Sequence, residues 1–195
     1  MAPHRNFHRQ KTLMVFSLVV FLMSSLIESQ AATLAGVTMP DTVQVGGKTL
    51  VLNGLGLRTK FMVKVYVGGL YLEQKSADSA AILKSDSAKQ MVLHFVHSAS
   101  KGQMSDAFSE GFDNNAPDAR KTMKADIDRF LAALEPVKEG DQMVFTYVPG
   151  TGTTFSINNQ DKLTIAGSAF APALFAVWLG PKPPTADLKK GILGQ

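Results

Sequence analysis

No cysteine occurs in the 195 residues, which excludes disulfide scaffolds, zinc ribbons, iron–sulfur clusters and thiol nucleophiles together. Charge is also sparse, at 18% of residues with a formal net of +4, and no run of five like charges exists. Arg120-Lys121 and Lys189-Lys190 are isolated pairs that read as solvated helix faces, so nucleic-acid binding is not expected. Little charge does not mean disorder here, because 45% of the residues are apolar and twelve are Phe. Glycine and proline follow no period, which rules out a collagen-like or low-complexity chain. The length suits a single core. Walker loops, nucleophile elbows and HExxH are all missing, and neither Gly54-Leu55-Gly56 nor Gly150-Thr151-Gly152 has the third glycine of a dinucleotide fingerprint. His94 and His97, three apart on an expected strand, point to opposite faces and cannot share a metal. Asp106 and Glu110 lie one helical turn apart and read as a polar outer stripe. No metal and no cofactor are expected.

What the chain does have begins with an address. Arg5, Arg9 and Lys11 precede an uncharged run from Thr12 to Ile27, and Ser29-Gln30-Ala31 has the small-x-small form of a signal-peptidase site. Sixteen residues of helix would cover about 24 Å, short of the ~30 Å hydrocarbon core, which favours a cleaved leader over an anchor. The expected division is residues 1–31 as signal peptide and 32–195 as one periplasmic or secreted domain. Without the leader 17 bases and 15 acids remain, so the net charge falls to +2. No second apolar run approaches the length of a membrane span.

In the mature part, Gly46-Gly47 between Asp41–Val45 and Lys48–Leu52 predicts a tight hairpin, taken as the start of the fold. Leu57 to Glu73 alternates around Phe61, Val63, Val65 and Val67 as one long strand or two short ones with a break near Gly68-Gly69. A short helix over Ser76–Lys84, capped by Ser76 or Asp78, leads to a strand over Gln90–His97. Ser100 to Gln103 is a capping box before a helix whose Met104, Ala107, Phe108, Gly111 and Phe112 share a face. Asn115 and Pro117 are expected to open a second helix that buries Met123, Ile127, Phe130, Leu131 and Leu134. Gln142–Val148, Thr153–Asn158 and Lys162–Ile165 read as an antiparallel meander. Ser168–Leu179, with Pro172 in its first turn and Gly180 as its stop, and Thr185–Leu193 read as closing helices. The class is α+β, an antiparallel sheet covered by helices.

The run Leu52-Asn53-Gly54-Leu55-Gly56-Leu57-Arg58, followed by Lys64-Val65-Tyr66-Val67-Gly68-Gly69-Leu70-Tyr71, resembles the G-x-G-x-R turn and V-Y-x-x-G-L-Y strand of the chalcone isomerase family, in particular its exported bacterial branch. Gly102 to Asp106 and Ala173 to Gly180 resemble the family's first long helix and its last. The resemblance implies an open-faced β-sandwich, a large antiparallel sheet under a helical layer. It implies that Arg58 matches the arginine that holds the anionic end of the substrate in the plant enzymes. Tyr66 and Met104 fall where those enzymes keep a threonine and a tyrosine that polarise the ketone, and Gly111 falls where they keep an asparagine.

Methionine donates no hydrogen bond, and an enolate oxygen needs preorganised donors. The arginine and strand tyrosine resemble instead the family's fatty-acid-binding members, in which a guanidinium and a phenol grip a carboxylate. The expected ligand-binding residues are therefore Arg58, Tyr66, Met104 and Phe108, with Phe112 extending the apolar wall, and the expected ligand is a small amphipathic carboxylate. One alternative is an isomerase or intramolecular lyase acting on a phenolic enone. Another is a periplasmic partner protein with a filled core and no cavity beside Arg58. Eight residues of straight strand would hold Arg58 and Tyr66 roughly 26 Å apart. Either the chain turns back between them or the two do not act together. Trp178 reads as core.

Overall fold

Alternating apolar residues make strands that pair with their sequence neighbours, and here this gives a seven-stranded antiparallel sheet in chain order. A computed structural model describes residues 31–195. The proposed leader lies outside them, apart from Ala31, which pairs with Pro40. The sheet consists of β3 (Thr42–Val45), β4 (Lys48–Lys60), β5 (Val63–Leu72), β6 (Lys89–Phe95), β7 (Gln142–Val148), β8 (Gly152–Ile157) and β9 (Gln160–Ala166). Helix α1 (Ser79–Lys84) precedes β6. Helices α2 (Lys101–Asn115), α3 (Pro117–Thr122) and α4 (Lys124–Ala133) join β6 to β7, and α5 (Phe170–Leu179) and α6 (Ala186–Ile192) follow β9. The α+β class is as the periodicity implied.

The helices cover one face. Phe108 and Phe112 of α2, Phe130 of α4, Phe170 and Trp178 of α5 meet Phe145 and Phe155 of the sheet in a continuous aromatic core. Edge-to-face contacts such as Phe108–Phe130, with centroids 4.9 Å apart, predominate, as ring quadrupoles favour. The other face carries a hairpin that the sequence reading missed. Strands β1 (Ala31–Leu34) and β2 (Val37–Pro40) lie over it, with Val37 and Met39 packed among Leu50, Leu52, Val67 and Tyr71. The Tyr71 hydroxyl donates to Pro40 O at 2.9 Å and pins this cover down.

Three local expectations need correction. The break in the Leu57–Glu73 stretch is at Phe61-Met62, and Gly68-Gly69 lies inside continuous β5. Gly54-Leu55-Gly56 is no turn but the interior of β4, where Gly54 and Gly56 carry no side chain because α6 lies directly on them. The helical run after Pro117 breaks at Met123, and Asn115 does not open it. As the last residue of α2, Asn115 clamps Lys182, accepting from Lys182 N at 2.8 Å and donating to Lys182 O at 2.9 Å. The capping box at Ser100 and Gln103 forms in both directions, and Asp78 rather than Ser76 caps α1.

Candidate functional site

Arg58 and Tyr66 are brought together by a two-residue turn. Phe61 and Met62 adopt φ of 49° and 68°, the left-handed pair that a type I′ hairpin requires, and β5 runs back along β4 with Tyr66 directly opposite Arg58. The register slips by one between Arg58 and Thr59, so the two side chains meet on the helix-covered face. The guanidinium carbon lies 5.7 Å from the centre of the Tyr66 ring. Of the two arrangements left open by the sequence, the chain adopts the one that turns back.

Both residues line a cavity of about 700 Å³ between the sheet, α2 and α5. Such a volume falls within the range of small-molecule sites. Leu93, Phe95, Met104, Phe108 and Val177 give it apolar walls, and Lys60, His97, Gln103, Glu110 and Lys182 add polar groups. Met104 and Phe108 thus reach the same space as Arg58 and Tyr66. Phe112 does not; it is fully buried one turn further along α2, against Phe130 and Phe170. A protein with a filled core would have no cavity here.

Unused donors set the chemistry of this cavity. Arg58 Nε is buried without a hydrogen-bond partner, and among the described residues no carboxylate pairs with the guanidinium. A buried polar atom left in this state is uncommon. The Tyr66 hydroxyl accepts from Trp178 Nε1 at 3.0 Å, which leaves its own O–H to donate elsewhere. Burial pushes the Tyr66 phenol above its ordinary pKa, against the opposing pull of the Arg58 charge and of hydrogen bonding from Trp178 and Arg58 to its oxygen, so it stays protonated and a donor. Trp178 is core as expected, yet it also orients the phenol, a role with no signal in the sequence beyond the general need of a buried indole N–H for an acceptor. Met104 and Gly111 line the cavity and bring no hydrogen-bonding side chain to it. Gly111 serves packing, since a Cβ there would stand 2.7 Å from Val177 Cγ1.

The other two tyrosines share the shift. Burial, with Asp41 adding to it, pushes Tyr71 up to about 12. The hydrogen bond that Tyr147 donates to Asp86, together with burial, raises Tyr147. A folded pKa raised above the unfolded value contributes stability that is present below pH 10 and lost as pH climbs through the folded value. Desolvation lowers the pKa of buried Lys89, whose Nζ donates to Ile82 O and Ser85 O, so its opposite contribution ends at its unfolded value of 10.5. Above pH 10.5 only the tyrosines act, and the melting temperature should fall steeply. Absorbance of tyrosinate should appear together with loss of the far-ultraviolet circular dichroism, and ionisation of all three tyrosines in a folded protein would contradict this.

Residues 31–194 match the family described as chalcone isomerase-like. Among solved structures, the crystal structure of an Arabidopsis thaliana fatty-acid binding protein superposes with a TM-score of 0.66 at 12% identity, covering 84% of this chain and 96% of that one. At that identity the likeness shows the fold alone. No curated protein matches the sequence. Among the described residues no helix is long and apolar enough to cross a membrane, and no cluster of His, Cys, Asp or Glu could hold a metal ion.

Proposed function

The chain belongs to the chalcone isomerase-like family, and on that premise we propose that it is an exported, non-catalytic binding protein for a small amphipathic carboxylate such as a fatty acid. One observation carries the reading: a guanidinium with an unpartnered buried Nε and a phenol with a free O–H face one apolar cavity. Arginine stays charged when desolvated and meets a carboxylate with a planar fork. Met104 and Phe108 offer the tail adaptable and aromatic contacts, and the Arabidopsis neighbour that shares the fold is a fatty-acid binding protein. Export rests on the leader-like residues 1–31.

The test is organic extraction of the purified protein and mass spectrometry of what it releases, followed by titration of palmitate into stripped protein. Removing a charge-assisted contact typically costs about 1.5–3 kcal/mol, so Arg58→Ala should weaken palmitate binding by about tenfold to a hundredfold. Arg58→Lys should recover only part of this, and Tyr66→Phe should lose less than Arg58→Ala. Equal loading of Arg58→Ala and wild type would remove Arg58 from the site. Cyclisation of a chalcone above its spontaneous rate, abolished by Arg58→Ala, would favour an isomerase instead.

A further inference from the structure

Four hairpins of this protein turn through two residues, and in each both residues have positive φ. Two use residues that tolerate it, Gly46-Gly47 and Asn158-Asn159, and a third, Ala35-Gly36, puts only the smallest side chain there beside a glycine. The fourth is Phe61-Met62. Bulky side chains are poorly suited to this conformation, and these two gain nothing from packing, because Phe61 is 90% and Met62 98% exposed. Val63, next along, is 44% exposed, and these three are the exposed large hydrophobics among the described residues. A turn that gives up good turn chemistry for bare apolar surface is shaped by something outside the folded chain.

Its surroundings say what. Lys60 and Lys64 flank the tip, both exposed, with Lys60 Nζ 5.9 Å from the centre of the Phe61 ring. Lys60, Phe61 and Val63 also line the cavity that holds Arg58, and the charged groups lining it are Arg58, Lys60 and Lys182 against one carboxylate, Glu110. An aromatic and a thioether at the end of a ribbon, bracketed by lysines on flexible stems, suit the boundary of an anionic bilayer. The rings and methyls enter the acyl edge while the ammonium groups stay at the headgroups.

We infer that the β4–β5 hairpin tip, Lys60 to Lys64, inserts into an anionic lipid surface and sets the mouth of the Arg58 cavity against it. The inference goes beyond the ligand reading and does not depend on it, since the tip would bind a membrane whether the cavity is filled or not.

The experiment is flotation of the purified protein with vesicles of phosphatidylglycerol and phosphatidylcholine, and with phosphatidylcholine alone. Wild type should float with the anionic vesicles, and binding should weaken as salt rises from about 0.05 M to 0.5 M. The double variant Phe61→Asn with Met62→Gly removes the apolar tip while supplying residues the turn prefers. It should melt at or above the wild-type temperature and bind about thirtyfold more weakly, as expected for withdrawing two partly immersed side chains. Lys60→Gln with Lys64→Gln should lose the preference for phosphatidylglycerol. Arg58→Ala should float like wild type even where it no longer loads palmitate, so failure of one reading is told apart from failure of the other. Equal flotation of wild type and the Phe61/Met62 variant would overturn the inference. So would self-association without vesicles that the same variant abolishes, which would make the tip an interface between copies.

Discussion

Gly56→Ala should be among the most damaging substitutions in this protein, lowering stability by about 4 kcal/mol or preventing folding, although it adds a single methyl group. A Cβ on Gly56 would stand 2.3 Å from Leu188 O, and one on Gly54 2.1 Å from Gly191 O. The obstruction is backbone, which cannot rotate away as a side-chain tip can. Approach is equally close from the other side, where a Cβ on Gly191 would meet Leu55 O at 2.3 Å. The only relief is for α6 to lift from β4, and that exposes Leu188 and Ile192, both fully buried. Each such side chain is worth about 1.5–3 kcal/mol of burial, which sets the expected loss. For a domain of this size the melting temperature should drop by about 10 °C. Calorimetry reads that drop, and hydrogen exchange should show the α6 amides opening first. A variant melting within a degree of wild type would mean that α6 is not seated as described.

Asn53→Leu should cost about 3 kcal/mol by a different route. The strand register slips between Leu52 and Gly54, and the residue at the slip, Asn53, is 6% exposed. Its Nδ2 donates to Ile192 O at 2.8 Å and to Ser76 O at 3.0 Å, while its Oδ1 accepts from Ser76 N at 2.7 Å. One amide therefore satisfies the end of α6 and the loop before α1 together. Leucine keeps the volume but strands three backbone groups, each worth about 1–3 kcal/mol when left unpaired in the interior, less where water can reach. Asn53→Asp separates geometry from volume: it retains the acceptor for Ser76 N and turns an oxygen toward two carbonyls, so it should be at least as harmful. Urea denaturation of the three proteins measures this, and an aspartate variant as stable as wild type would refute the assignment of Nδ2.

Where a structural cause acts within a few residues, it was legible in the sequence. The meander, the capping box at Ser100 and the buried stripe Met104, Phe108, Gly111 and Phe112 follow from periodicity and local hydrogen bonding. The causes that escaped act at a distance or against local preference. Trp178 bonds Tyr66 across 112 positions of sequence. Gly54 and Gly56 look like turn residues until the helix above them is known. Phe61-Met62 turns the chain without a glycine, asparagine or proline to announce it, so the pairing of Arg58 with Tyr66 was one of two possibilities until the hairpin was seen. The hairpin β1–β2 is four residues a side, too short for alternation to stand out.

Pairing in strict chain order also shapes how the sheet must assemble. β3 to β5 can zip from hairpin to hairpin, and so can β7 to β9, with short loops and little entropy of closure, while β5 and β6 are joined through residues 73–88 and α1. The longest joint, between β6 and β7, spans residues 96–141. That joint is rewarded by rings of its own, since Phe108 and Phe130 lie within it and meet Phe145 of β7 and Phe155 of β8. The rate-limiting event in refolding is therefore expected at this seam, where non-local contacts must form before they are repaid. Truncating Phe130 should slow refolding more than truncating an equally buried residue within either half, such as Leu50.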